Sequence, residues 1–441
     1  MDADPLNVQT ERLELRGLRI VYAVFLLTAV GRVGELVPGL GSLPLAKITM
    51  GIGVILLIAK WKQLPRLSAV TTPFSRTAIA LVALAVVTAP FSIWRGMTFA
   101  FLTVQLPVMA AAVIVCCKIS YRWEVLRGIM GVLVVAGVAL GLTATLGFHG
   151  GRASASESYD PNDLAYVLVS TLPLALAFTL TAKTKAKVLV NAGVCTVLLV
   201  ALLLTSSRGG LFGLVASLAM LVLTPLKRPQ RGKSRNRIVL PVIGLVCASM
   251  LVWAYLPAET RDRLSSVLQL GSDYNMDTTN ADSRSAIWER GYAAALQRPF
   301  GYGVSTYQMV DVRMGGKFRA PHNSYLEVLV ELGFLGLLLF IRMYVLCWRA
   351  LQKVRQSLLA LAPGEEHDQM LVFARMLQVA LVGNSVSGFF LSMSYSVILW
   401  VLFAAVIACV SLATATAADA EKGKITRPAY REPGVATPRI N

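Results

Sequence analysis

One histidine stands where hydrophilic chain turns apolar. It lies in Pro321-His322-Asn323-Ser324-Tyr325-Leu326-Glu327, and a mostly apolar stretch from Val328 through Leu346 follows directly. The whole chain holds three histidines. An imidazole with a pKa near ~6.5 accepts a hydroxyl proton at ambient pH, so His322 suits general-base work, with Asn323 and Glu327 close by to support it. A loop histidine is more often a plain polar surface residue. This one abuts a membrane entry, and arginines are expected to converge on it. Arg208 sits in Thr205-Ser206-Ser207-Arg208-Gly209-Gly210 between two apolar runs, and Arg152 follows His149-Gly150-Gly151 in another short connection. A planar guanidinium holds a phosphate through two parallel hydrogen bonds, and glycines beside it let a ligand approach closely. Arg208 therefore suits a phosphate-bearing lipid.

The elements that must position these groups are membrane helices. The chain of 441 residues is 56% hydrophobic with a mean hydropathy of +0.63. Apolar runs of about 20 residues, enough to cross a bilayer core, recur throughout. A backbone in lipid satisfies its own hydrogen bonds, so the expected fold is an all-α polytopic bundle. About twelve spans are predicted, at 18–37, 42–59, 76–94, 97–117, 126–148, 162–182, 187–205, 210–226, 238–256, 324–348, 371–391 and 396–415. The expected organisation is helices one to nine over 1–256, a long outer loop or lid over 257–323, three more helices over 324–415, and a disordered tail over 416–441.

The formal net charge of +18 would point to nucleic acid in a soluble protein. Here the basic residues cluster in alternate short loops, most densely in Lys227 to Arg237, and the positive-inside rule accounts for them without a nucleic-acid partner. Both termini are then expected in the cytoplasm and the long loop outside. Topology gives no reason for the outer cations, which are Arg95, Arg152, Arg208 and, in the long loop, Arg261, Arg263, Arg284, Arg290, Arg298, Arg313, Lys317 and Arg319. Six cysteines lie in or beside apolar segments and form no zinc or disulfide pattern. Gly137 with Gly141, and Gly209 with Gly213, have the spacing of close helix packing. Lys47 and Arg375 fall near span ends and are expected to snorkel rather than relay protons. Gly301-Tyr302-Gly303 lacks the third glycine and preceding strand of a dinucleotide fingerprint. Asp273 to Asp277 lacks the glycine and final glutamate of a calcium loop. No metal or other cofactor is expected.

Taken in order, several short pieces resemble the family of O-antigen ligases and O-antigen polymerases. They are Asp160-Pro161-Asn162-Asp163-Leu164-Ala165, Ser207-Arg208-Gly209, Ser283-Arg284 leading to Trp288, Pro299-Phe300-Gly301-Tyr302-Gly303, Pro321-His322-Asn323, and Glu331-Leu332-Gly333-Phe334-Leu335-Gly336. The resemblance covers roughly the second half of the chain. It implies a metal-independent glycosyltransferase that takes a glycan from an undecaprenyl-diphosphate carrier on the periplasmic face of the bacterial inner membrane. By the same resemblance Arg208 and Arg284 bind the diphosphate, with Arg152 beside them, and His322 acts on the acceptor hydroxyl. Asn162, Asn323 and Glu327 support the site. A polysaccharide polymerase, whose acceptor is a second lipid-linked repeat, is expected ahead of a ligase, whose acceptor is lipid A-core. Other polysaccharide-assembly membrane proteins are the implied partners. The rival class is a transporter, which would show related halves and a midplane site of broken helices. No internal repeat is obvious, and the polar chemistry gathers at the outer loop.

Overall fold

The computed structural model describes residues 15–37, 39–62, 64, 72–156, 159–223, 244, 247, 249–265 and 283–425. The basic stretch from Lys227 to Arg237 and the Asp273 to Asp277 run lie outside them, as do residues 238–243, 245, 246 and 248 of the predicted span at 238–256. Among the described residues the elements are helical throughout, with a single isolated bridge between Ser156 and Tyr159. In chain order they are α1 (Arg16–Ala29), α2 (Val33–Leu36), α3 (Leu45–Ala59), α4 (Pro73–Thr88), α5 (Arg95–Ala100), α6 (Leu106–Ile119), α7 (Trp123–Leu146), α8 (Pro161–Leu180), α9 (Lys185–Leu204) and α10 (Arg208–Leu223). Then follow α11 (Ala258–Ser265), α12 (Arg284–Gln297), α13 (Tyr307–Arg313), α14 (Ser324–Ala360), α15 (Glu365–Gly388) and α16 (Val397–Ile425). A π-helical turn, Phe101–Gln105, joins α5 to α6.

Eight helices among the described residues are long and apolar enough to cross a membrane, against the twelve expected. They fall on eight of the predicted spans, the last running Val397–Ala418. Three of the other four differ for local reasons. The span at 18–37 is interrupted after Ala29, where Arg32 takes a left-handed backbone (φ 48°) before the short α2. Those at 42–59 and 210–226 appear as the shorter apolar helices α3 and α10. The fourth, at 238–256, falls partly outside the described residues. The tail also differs from expectation at its start, because α16 continues past 415 to Ile425.

The bundle is built around α8, which packs on α7, α9, α10 and α15. Every residue from Leu164 to Ala177 is buried, the pattern of a helix apolar all round. Its polar groups are satisfied within the bundle. Tyr166 and Tyr344 both donate to Asn384 Oδ1 (2.7 and 2.8 Å), and Asn384 Nδ2 donates to Ser170 Oγ (3.0 Å). The glycine spacings serve close packing as expected. A Cβ on Gly137 would meet Thr171 Oγ1 at 2.6 Å, and one on Gly213 would meet Ser387 Oγ at 2.0 Å.

The described residues of the expected hydrophilic lid, 257–265 and 283–323, are partly helical, and those of 283–323 pack on the start of α14. α12, α13 and the first turns of α14 share an apolar core that includes Ile287, Ala294, Tyr307, Val310, Leu326 and Val330. A buried ion pair, Arg290 Nε to Asp311 Oδ1 at 2.7 Å, ties α12 to α13, and Tyr307 Oη donates to Ile287 O at 3.0 Å. This core crosses the boundary expected between 323 and 324.

α14 is not one continuous helix. Gly333 breaks it with φ 72° and ψ −174°, a conformation a side chain would strain. The loop after α12 inserts at the break: Phe334 N donates to Pro299 O, Tyr302 N to Val330 O and Gly303 N to Glu331 O (3.1, 3.0 and 2.9 Å). There is no room for side chains here, since a Cβ on Gly333 would lie 2.2 Å from Pro299 O and one on Gly301 2.4 Å from Glu331 O. Glu331, 1% exposed, turns its carboxylate to the same loop. It accepts the backbone N–H groups of Ser305, Thr306 and Tyr307 (2.8, 2.9 and 3.1 Å) and the Tyr395 hydroxyl (2.9 Å). Those amides open α13, where an anion is favoured.

Candidate active site

His322 is held through its backbone. Trp288 Nε1 of α12 donates to Pro321 O at 2.7 Å. On the other side Asn323 caps α14, its Oδ1 accepting from Tyr325 N and Leu326 N (3.0 and 3.1 Å). Ser324 Oγ then donates to Leu391 O (2.6 Å) and accepts from Met393 N (2.9 Å), fastening the helix start to the segment after α15. His322 itself takes a left-handed φ of 47°, uncommon for a residue with a side chain although histidine is among the more tolerant.

The arginines arrive from separate elements. Arg284 is the first residue of α12, whose N-cap Ser283 accepts from Ala286 N at 3.2 Å, and its Nη1 reaches Phe390 O at 3.4 Å. Arg284 and Trp288, one helical turn apart, thus share the face that meets the histidine segment. Arg152 lies in the connection between α7 and α8. Its Nε donates to Thr205 O (3.1 Å) and its Nη2 to Asn162 Oδ1 (2.7 Å), while Ser207 Oγ donates to the same Asn162 oxygen (3.0 Å). Asn162 is placed by the start of α8, where Asp160 caps with its carboxylate (Asn162 N at 2.6 Å and Asp163 N at 2.9 Å) and Pro161 fills the first position. Arg208 opens α10, and its Nε lies 3.4 Å from Arg263 O of α11.

Mutual electrostatics show that these groups share one space. Burial and then the charge of Arg263 pull the Arg152 guanidinium down to about 10, with Asp160 opposing and Arg284 adding to the effect. Arg152 stays protonated at neutral pH. Burial, then Arg284, holds the imidazole of His322 below its usual range; Asp160 opposes, and Arg152 and Arg319 add to the fall. His322 is therefore neutral at pH 7 and can take a proton. Cations gathered in a half-buried space repel one another, and a bound anion would relieve that repulsion. Four helices, α8, α10, α12 and α14, begin at residues of this region, each presenting the positive end of its dipole.

The expected residues separate into two kinds. Arg152, Arg284 and His322 are brought together, and Arg208 joins them through α11. Asn162 positions Arg152, and Asn323 is a buried helix cap. Glu327 turns instead to Ser394, whose hydroxyl it accepts. His149 stands exposed beyond the end of α7. Gly209 and Gly210 face packed side chains rather than open space, since Cβ atoms there would meet Phe390 at 2.8 Å and Ala165 at 2.6 Å. Arg375 does not snorkel; it is 1% exposed and donates to Met220 O at 2.6 Å. In the sequence Asp160 is only the first residue of one resembling piece, and Arg263 is one of many loop cations. Their neighbours lie far away in sequence, so no local signal marks them.

Residues 193–341 match the O-antigen ligase family model. The matched stretch covers about a third of the chain. The matched segment takes in α10 to α13 and the first half of α14, hence Arg208, Arg263, Arg284 and His322. Asp160, Asn162 and Arg152 lie before it, so the cluster is completed by side chains from outside the matched segment. Comparison with curated proteins returns no match.

Proposed function

We propose that the protein is a bacterial inner-membrane glycosyltransferase that moves a glycan from an undecaprenyl-diphosphate carrier to a sugar hydroxyl at the periplasmic face, acting as a polysaccharide polymerase. The observation that carries this reading is the gathering of Arg284, Arg152 and Arg319 around His322, with Arg263 beside Arg152 and Arg208 attached to it through α11. The match to the O-antigen ligase family supports it.

The chemistry asked of these residues is limited. A lipid diphosphate is a good leaving group, so the protein has to hold two phosphates and activate one hydroxyl. Arg208, Arg284 and Arg152 act as the diphosphate clamp, stabilising charge that grows on the leaving oxygen. His322 Nδ1 or Nε2 accepts the acceptor hydroxyl proton as the new glycosidic bond forms and the bond to phosphate breaks. Asn162 and Trp288 keep Arg152 and the histidine segment in register.

In this arrangement the stretch from 257 to 323 lies outside the cell and both termini inside. The test is a deletion strain. Accumulation of a single lipid-linked repeat with loss of polymer marks a polymerase, whereas accumulation of lipid-linked polymer with bare lipid A-core marks a ligase. Unchanged glycans would remove the proposal.

A further inference from the structure

The start of α8 has a second neighbour. Arg32, between α1 and α2, lays its guanidinium over the Tyr159 ring at 5.1 Å, and Tyr159 immediately precedes Asp160. Arg32 also borders a pocket of about 160 Å³ between the ends of α1, α2 and α3, lined among others by Gly34, Glu35, Pro44 and Lys47. We propose that this pocket is a subsite for one sugar ring of the acceptor glycan, with Arg32 and Glu35 reading its hydroxyls; the proposal rests on the glycosyltransferase reading above.

Three observations favour a sugar. The first is the wall, which mixes charged residues, Arg32, Glu35 and Lys47, with the aliphatic Leu43 and Pro44. A pyranose ring presents hydroxyls at its rim and C–H groups on its faces, which is the complement of that mixture. A second groove, about 370 Å³ between α4, α6 and α16, is almost wholly apolar and suits acyl chains instead. The second is size, since pockets for drug-sized ligands run from about 300 to 1,000 Å³, so the smaller space holds one ring or branch. The third is rigidity. Arg32 sits on left-handed backbone (φ 48°), pairs with Glu35 at 3.4 Å and stacks on Tyr159, so its donors are aimed before a ligand arrives. Tyr159 to Asn162 then joins this pocket to the clamp: its two ends touch Arg32 and Arg152, and Asp160 acts on His322.

The test uses the purified full-length protein in lipid nanodiscs. The donor is carrier-linked oligosaccharide extracted from the deletion strain. The acceptor is the same oligosaccharide on a carrier whose sugar–phosphate oxygen is replaced by carbon, so that it stays lipid-linked and cannot act as donor, or deacylated lipid A-core, whichever the wild type glycosylates. Arg32→Ala and Glu35→Gln should each raise the acceptor KM about tenfold, as expected for losing one or two hydrogen bonds to a hydroxyl. Donor KM and kcat should stay near wild type, whereas Arg284→Lys should raise donor KM. If Arg32→Ala fails to accumulate, Lys47→Gln on the exposed rim should show a smaller rise of the same kind. An unmoved acceptor KM, or a raised donor KM, overturns the subsite alone. A wild type that transfers to neither acceptor overturns the glycosyltransferase reading beneath it.

Discussion

His322 and Glu331 lie on the same approach to α14 and have opposite surroundings. Glu331 is buried and saturated, its carboxylate accepting from three backbone amides and a tyrosine hydroxyl. His322 is half-buried, held by its backbone neighbours, and its pKa is lowered first by burial and then by the arginines near it. A polar group whose bonding capacity is used up inside the protein contributes to structure. One kept uncharged among cations is poised for a ligand. Both kinds look alike in a sequence that passes from loop to membrane.

The largest effect should come from the histidine side. His322→Asn keeps a residue that tolerates left-handed backbone and removes the base, so transfer should fall about 10²–10⁴-fold with the melting temperature near wild type. Arg284→Lys, which keeps the charge and loses the fork, should also be strongly impaired. Variants that melt early, or that transfer normally, would erase the contrast with Glu331.

Glu331 should behave in the reverse manner. Glu331→Ala leaves buried amides of Ser305, Thr306 and Tyr307 without their acceptor, at a cost of about 3–5 kcal/mol. Glu331→Gln keeps one acceptor oxygen and should lose less. Melting in detergent, read beside the rate per folded molecule, separates stability from chemistry. A Gln variant with normal melting and no transfer would make Glu331 a participant instead.

A smaller effect sharpens the electrostatic side. If His322 is the base it works neutral, and since its pKa is lowered, kcat/KM should fall only at pH values below the ordinary imidazole range. Arg284→Gln removes the nearest opposing charge, raises the His322 pKa and should shift the acid limb to higher pH, apart from its loss of rate. Arg319→Gln should shift it less. An acid limb that stays in place in both would disconnect His322 from these arginines.

Much of this was legible in the sequence because hydropathy and charge are summed over long windows. Apolar runs located eight helices, and the rule for basic loops singled out Arg152, Arg208 and Arg284 as cations needing another explanation. Backbone events were not legible. Gly333 lies within an apolar run, and no window average distinguishes a helix broken by positive φ from an unbroken one. The resemblance had already picked out Pro299 to Gly303 and Glu331 to Gly336, and the fold shows them to be two sides of a single junction. Burial by distant partners was equally hidden. Arg375 sits near a span end in sequence, yet Met220 receives it inside the bundle.

The break in α14 also bears on membrane thickness. Unbroken, its thirty-seven residues would reach about 55 Å, beyond the roughly 40–45 Å of a bilayer with its headgroups. The large apolar side chains that α14 exposes begin at Phe334 and recur at Leu335, Leu338, Ile341 and Val345. The turns from Ser324 to Leu332 expose none and are pinned to α12, to the inserted loop and to the segment after α15. A thicker or thinner bilayer therefore acts on the stretch below Gly333, where tilt absorbs the mismatch. On the proposed topology the height of His322 is therefore set by protein packing, and the proposed reacting groups would keep their spacing when the membrane changes.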